Sequence, residues 1–176
     1  GFKAGPRFGL RQTEGDPLPG PDPKILNWLE NLPLRQVAEN WGLTIDAFNG
    51  ETASYLGMYR HGQAIALGVE NWSTWAHELV HAADDQAGNI TKAPGQQPDN
   101  EIVAELGGAI LLEVLGHEAD SDRGGAWNYI KVYAEKAKID PVTACQRLLN
   151  RVCTAVALIL DTADSLAGEG ADHATL

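Results

Sequence analysis

The chain has 176 residues, 44% of them hydrophobic, and a formal net charge of −11, which suits one domain with a single packed core. The negative charge repels phosphate backbones, so we expect this chain alone to bind no nucleic acid. The longest apolar run, near residues 152–160, is too short to span a bilayer, so we expect no membrane segment.

The two ends of the chain are predicted to be flexible. Residues 1–23 hold five Pro and five Gly, a composition typical of an arm or linker rather than of a packed element. Residues 168–176 are predicted to form a mobile tail. The sequence therefore predicts one folded domain over residues 24–167.

Within the predicted domain, the apolar patterns indicate a small sheet surrounded by helices. A helical pattern over 24–41 is broken near Pro33, and alternating residues over 43–48, 53–59 and 63–69 predict three strands, with turns at Asn49-Gly50 and His61-Gly62. Further helices are predicted over about 71–87, 100–116, 124–137 and 141–167. The expected fold class is α+β, with a small antiparallel sheet packed on about five helices.

The most specific motif is H-E-x-x-H, formed by His77, Glu78 and His81 within a helical apolar pattern. Residues four apart lie on one helix face, so both imidazoles can bind one metal ion. Glu78 then lies beside the open coordination position, where a carboxylate can take the proton of a metal-activated water. This spacing predicts a catalytic zinc site.

A third metal ligand is expected at Glu101, which opens the next apolar helix after a polar loop. Glu105 lies one turn later on the same face and could accept the second N–H of a ligating imidazole, while Glu105 and Glu113 are also competing candidates for the ligand itself. Gly107 and Gly108 would allow this helix to approach the H-E-x-x-H helix closely.

These two helices carry a resemblance to a known family. The strings H-E-L-V-H and E-I-V-A-E-L-G-G-A-I-L-L-E-V-L (101–115), followed by Tyr129-Ile130, resemble the metallopeptidase domain of ArdC-type antirestriction proteins over about residues 24–165. The resemblance implies a zincin-like fold with a central H-E-x-x-H helix and an edge strand that holds an extended peptide, expected here at 63–69. It also implies that a module binding single-stranded DNA precedes this domain in a longer protein.

The spacing and the N-E-x-x-A-E form of residues 100–105 are also similar to the gluzincin arrangement. That similarity implies His77, His81 and Glu101 as ligands of Zn²⁺, Glu78 as the general base and Glu105 as the residue orienting a histidine. From the residues alone, two His and one carboxylate also suit iron or manganese.

The expected function is a zinc-dependent metallopeptidase acting on a protein or peptide substrate. The alternative is a non-hydrolytic, metal-stabilised scaffold that binds a protein partner such as a restriction or host-defence factor. Tyr129, in the Y-I context, is the favoured oxyanion donor, with further candidates at Tyr133, Tyr59, Tyr55 and His61. Cys145 and Cys153, eight apart in one predicted helix, are expected to be buried free thiols, which favours a cytoplasmic location.

Overall fold

The computed structural model describes residues 20–90 and 96–173 as an α+β domain, which confirms the predicted α+β class. The predicted arm over 1–19 and the last tail residues, 174–176, lie outside the described residues. The elements, in chain order, are α1 (Pro23–Leu29), α2 (Arg35–Asn40), β1 (Thr44–Ala47), β2 (Gly57–Arg60), β3 (Ala64–Leu67), α3 (Trp72–Gln86), α4 (Pro98–Val114), α5 (Arg123–Lys136) and α6 (Pro141–His173).

Local sequence signals explain where the site-bearing helices begin. The side chains of Asn71, Asp122 and Asp140 accept hydrogen bonds from backbone N–H groups in the first turns of α3, α5 and α6, at 2.9, 2.8 and 2.9 Å. Pro98 occupies the first turn of α4, where a missing N–H costs nothing. The predicted helix bounds agree to within a few residues, except that α6 continues through residues 168–173 of the predicted tail.

The sheet is mixed, and the predicted antiparallel arrangement is wrong for β1. The strand order is β1-β3-β2, with β1 parallel and β2 antiparallel to β3. Alternation in a sequence predicts that a segment is a strand, but it does not encode the direction of its neighbour. The second strand runs over Gly57–Arg60 instead of the predicted 53–59. Before it, Gly50–Thr52 form a 3₁₀ turn capped by Asn49.

β3 is the central strand, so the prediction that 63–69 forms the peptide-binding edge is wrong. All four residues of β3 are buried, which matches its continuous apolar sequence Ala-Ile-Ala-Leu. β2 is the edge strand that contacts α3. An extended ligand beside α3 would therefore pair with β2.

Helix α3 is central in the domain, as predicted. It contacts β2 and β3 as well as α4 and α6. Its apolar side chains Trp75, Leu79 and Val80 are fully buried in the same core cluster as Ile102 of α4 and Val152 of α6. Burial of this helix from several directions fixes the position of the H-E-x-x-H residues.

Two sequence expectations concern α6 and the membrane. Cys145 is half-buried and Cys153 is exposed, so the predicted burial of Cys153 is wrong, because that residue lies on the outer face of the long helix. Both thiols are free. Although α6 has 33 residues, no helix within 20–90 and 96–173 combines the length and the apolar character needed to cross a membrane.

Candidate metal centre

Three potential metal ligands converge between α3 and α4. The Nε2 atoms of His77 and His81 lie 3.1 Å apart, and Oε2 of Glu101 lies 3.6 Å from the first and 3.8 Å from the second. Ligand atoms of all three residues lie within 4.8 Å of one another. We call His77, His81 and Glu101 the ligand cluster.

The geometry of the ligand cluster fits a tetrahedral metal ion. Ligands bound to zinc at 2.0–2.1 Å with tetrahedral angles lie about 3.3 Å from one another. The observed separations of 3.1, 3.6 and 3.8 Å bracket that value. Two imidazole nitrogens and one carboxylate oxygen also leave a fourth position open, which is the donor set of a catalytic rather than a structural zinc site.

Two glycines allow α4 to bring Glu101 to the histidines. A Cβ atom on Gly108 would lie 3.1 Å from the backbone nitrogen of His77, and one on Gly107 would lie 2.8 Å from Cγ1 of Val80. Side chains at these positions would therefore push α4 away from α3. The close approach predicted from Gly107-Gly108 is confirmed.

Glu105 lies behind His77, on the side away from the other ligands. Its Oε1 is 3.3 Å from Nδ1 of His77, which leaves Nε2 of that ring directed at the ligand cluster. A carboxylate on Nδ1 fixes the ring tautomer and orientation and makes the opposite nitrogen a better metal ligand. This is the position that the orienting role requires.

Electrostatic coupling within the cluster is strong. Burial opposes protonation of His77, but contacts with Glu101 and Glu105 outweigh it and raise the pKa of His77 to about 10. Burial would raise the pKa of Glu101, yet the hydrogen bonds with His77 and His81 lower it to about 2. These carboxylates therefore attract positive charge to the cluster, and a metal ion would compete with a proton for His77.

Glu78 is buried against strand β2. Burial raises its pKa, partly opposed by the charges of His77 and His81 and by a hydrogen bond from the backbone N–H of Tyr59. Gly57 makes room for the carboxylate, because a Cβ atom there would lie 2.8 Å from Oε1 of Glu78 and 2.6 Å from Cγ2 of Thr74. Glu78 is thus held between its own helix and the edge strand, with raised basicity.

The edge of β2 presents backbone groups to the same space. Gly68 donates its N–H to the carbonyl of Leu56 at 2.8 Å, and Met58 pairs with Ala66. Hydrogen-bonded pairs alternate along antiparallel strands, so Gly57 and Tyr59 direct their backbone groups away from β3. Glu78 accepts the Tyr59 N–H, which leaves the Gly57 N–H and both carbonyls for an extended ligand.

An open cavity of about 370 Å³ joins these parts of the site. Its lining comes from β2 and the residues just before it, from α3 and α4, and from the described ends of the loop between these helices. The lining residues are Tyr55, Gly57, Met58, Tyr59, His77, Glu78, His81, Ile90, Gln96, Gln97, Asn100 and Glu101. Two larger hollows of about 560 and 550 Å³ lie near Trp28, and neither is lined by the ligand cluster. The cavity that contains the ligand cluster is therefore the smallest of these three.

The candidate oxyanion donors differ in their placement. Tyr129 is 56% exposed and is not among the residues lining the cavity. Tyr133, one turn later on α5, is only 5% exposed, and burial together with the carboxylates of Glu101 and Glu105 raises the pKa of Tyr133 to about 12. Tyr133 is therefore the α5 tyrosine nearest the ligand cluster. Sequence spacing alone could not distinguish two tyrosines one turn apart.

Tyr59 and His61 are tied to Asp85 at the end of α3. The Tyr59 hydroxyl donates to Oδ2 of Asp85 at 2.6 Å and accepts the N–H of Gly62 at 2.8 Å, and Nδ1 of His61 contacts the same carboxylate oxygen. The single hydroxyl proton of Tyr59 is thus committed to Asp85. Tyr55 lines the cavity but is half-exposed and packs its ring on Phe48 at 5.0 Å.

Three further residues form a buried polar link that the sequence did not predict. Arg151 of α6 binds the fully buried carboxylate of Asp84 and also donates to Oδ1 of Asn100 at 2.7 Å. Asn100 immediately precedes Glu101. The remaining competitor for the metal, Glu113, instead pairs with Arg123. The position of Asp84 directly after Ala82-Ala83 in an apolar stretch of α3 is a sequence feature that could have indicated a buried cation.

Comparison with known proteins identified no relative of this chain. No family model matches it, and neither the curated proteins nor the solved structures gave a match. The function must therefore be argued from the site itself.

Proposed function

We propose that the chain is a zinc-dependent metallopeptidase of the ArdC-like antirestriction type, with a gluzincin-like site in a zincin-like fold. The observation that carries the proposal is the convergence of His77, His81 and Glu101 on one point beside the buried carboxylate of Glu78. A purely structural metal site has no use for such a carboxylate beside an open coordination position. The antirestriction type rests on the resemblance of the H-E-L-V-H and 101–115 strings and of Tyr129-Ile130.

Zinc bound by the ligand cluster would lower the pKa of a coordinated water towards neutrality and would polarise the scissile carbonyl. Glu78 acts as the general base, taking a proton from the attacking water on a carboxylate oxygen and returning it to the leaving amine. Its raised pKa suits the first transfer, because a buried carboxylate accepts a proton more readily than an exposed one does. Glu105 holds His77 in the tautomer that directs Nε2 at the metal.

The substrate class follows from the edge strand. An extended peptide can pair with the Gly57 N–H and the outward carbonyls of β2, and the open cavity beside β2 leaves room for its side chains. The protein substrate is expected to meet the chain in the cytoplasm, since both cysteines are free thiols. The net charge of −11 favours a protein over a nucleic acid as the ligand of this chain.

The test compares wild type with Glu78→Gln and with the matched control Glu135→Gln, which changes an exposed glutamate of α5. Each zinc-loaded protein is incubated with a peptide library, and cleavage is read by mass spectrometry. Wild type and the control should cleave the same bonds, whereas Glu78→Gln should bind equal zinc and cleave at least about 100-fold more slowly. Equal cleavage by Glu78→Gln would contradict the proposal.

The non-hydrolytic scaffold is the other outcome of the same experiment. In that case zinc-loaded wild type cleaves no peptide, and protection of DNA from restriction in cells is the same for wild type and Glu78→Gln. That pair of results would assign the metal a structural role.

A further inference from the structure

A single arginine of α6 links the two helices that carry the ligand cluster. Nε of Arg151 lies 2.8 and 3.0 Å from the two carboxylate oxygens of Asp84 on α3, and Nη2 also contacts that carboxylate. Nη2 donates at the same time to Oδ1 of Asn100 on α4, at 2.7 Å. Asp84 lies three residues after His81, and Asn100 lies one residue before Glu101.

The energetics of this link indicate a geometric role. A buried ion pair contributes little net stability compared with an apolar pair of the same volume, because desolvation offsets the attraction. The carboxylate of Asp84 is fully buried, and the Arg151 side chain is only 16% exposed. The planar guanidinium instead fixes the relative position of two helices, because its donors have a rigid geometry and bind both helices at once.

The first turn of α4 has a second tie to α6, which differs in burial. Arg147, one turn before Arg151, contacts Asp99 at 2.5 Å, but both side chains are exposed, at 47% and 41%. Exposed pairs of this kind are screened by water and salt and contribute little. Two arginines four residues apart therefore bind neighbouring residues of α4, one at the surface and one in the interior.

We propose that Arg151 is a positioning residue of the metal centre. By bridging Asp84 and Asn100 it holds the first turn of α4 against α3, and this sets where the Glu101 carboxylate meets His77 and His81. The inference rests on the proposed metal site but not on peptide hydrolysis. Arg151 contacts no member of the ligand cluster in the described hydrogen bonds and ion pairs, so its effect is transmitted through Asp84 and Asn100.

The test measures the zinc dissociation constant by competition with a chelating dye, together with the melting temperature of the metal-free protein. The central variant replaces the whole ion pair, Asp84→Asn with Arg151→Met, so that no buried charge is left unpaired. Arg151→Met alone leaves the Asp84 carboxylate buried without its cation. Arg151→Lys keeps a cation on Asp84 but loses the fork, and Arg147→Met is the matched surface control. Each variant is compared with wild type at one pH and one salt concentration.

Loss of an outer partner of a metal site typically weakens metal binding by about 10- to 100-fold, and we expect this for the double variant. Arg151→Lys should restore most of the melting temperature that Arg151→Met loses, while zinc binding stays weak. Arg147→Met should bind zinc within about twofold of wild type. If Arg151 only stabilised the fold, zinc affinity and melting temperature would recover together in Arg151→Lys.

Two results would overturn the inference, and they are distinguishable. Unchanged zinc affinity in the folded double variant would remove the positioning role and leave the metallopeptidase proposal intact. Wild-type protein that binds no zinc would remove the proposed metal site, and the positioning role with it.

Discussion

Two sides of the open cavity, which we call the metal wall and the base wall, are built in different ways. The metal wall, formed by His77, His81, Glu101 and Glu105, comes from two adjacent helices that meet across Gly107 and Gly108. The base wall, formed by Glu78 with Gly57 and Tyr59, joins the same helix to the edge strand of the sheet. The proposed metal binding and the proposed proton transfer therefore depend on different contacts, and substitutions should separate them.

The largest effect is expected on the metal wall itself. Glu101→Ala removes the only carboxylate of the ligand cluster. Loss of an outer partner weakens metal binding by up to about 100-fold, and loss of a ligand should weaken zinc binding further and abolish cleavage. Zinc titration measures this directly. The control is Glu113→Ala on the same helix, whose side chain pairs with Arg123 instead; equal losses in both variants would contradict the ligand assignment.

A substitution in the base wall should leave the metal in place. In Gly57→Ala the new Cβ would meet Oε1 of Glu78 at 2.8 Å and would displace the carboxylate. Cleavage should fall by about 100-fold, the lower range for loss of a general base, while zinc affinity changes little. Gly168→Ala, which meets open space on α6, is the control. If Gly57→Ala lost zinc as readily as activity, the two walls would not be separable.

The orienting carboxylate should have an intermediate effect on metal binding. Glu105→Ala removes the partner of Nδ1 of His77, so zinc affinity should weaken by about 10- to 100-fold, less than in Glu101→Ala. The ratio of the two dissociation constants is the informative quantity. If Glu105→Ala bound zinc less well than Glu101→Ala, Glu105 would be the metal ligand and Glu101 the orienting residue.

The last effect concerns the pH dependence of the stability of the metal-free protein and involves no metal binding. The folded pKa of His77 is raised from 6.5 to about 10, so its contribution to stability is fully present below pH 6.5 and is lost as the pH rises through about 10. The folded pKa of Glu101 is lowered from 4.5 to about 2, so its contribution is present above pH 4.5 and is lost as the pH falls through about 2.

Urea unfolding in the presence of a chelator checks this prediction. The free energy of unfolding of wild type should decline between pH 6.5 and 10, and the decline should be smaller in His77→Gln. Zinc affinity should rise over the same range, because the metal competes with the proton on His77. Parallel pH profiles for the two proteins would argue against the coupling between His77 and the two carboxylates.

The local features of this structure could be predicted from the sequence. Helix bounds followed from apolar spacing, and the structure adds the caps Asn71 and Asp140, which are also local features of the sequence. The spacing of His77 and His81 is set by one helical turn. Gly107-Gly108 indicated a close helix contact because only that feature explains paired glycines in so apolar a helix. These signals act over a few residues, and the chain carries them whatever the rest of the fold does.

The remaining parts depend on distant segments. The direction of β1, the central place of β3 and the delayed start of β2 follow from how strands assemble, which alternation does not encode. Arg151 binds Asp84 across 67 residues and Asn100 across 51, so no local pattern could pair them. The exposure of Tyr129 and burial of Tyr133 depend on which face of α5 meets α4.

The most direct test of the central claim is the zinc content and zinc coordination of the purified wild-type chain after dialysis against metal-free buffer and reconstitution. Elemental analysis should give about one zinc ion per chain, and X-ray absorption should give two imidazole nitrogens with oxygen ligands at about 2.0–2.2 Å. A chain that retains no zinc, or that binds it without imidazole ligands, would contradict the assignment of His77, His81 and Glu101 as a metal centre.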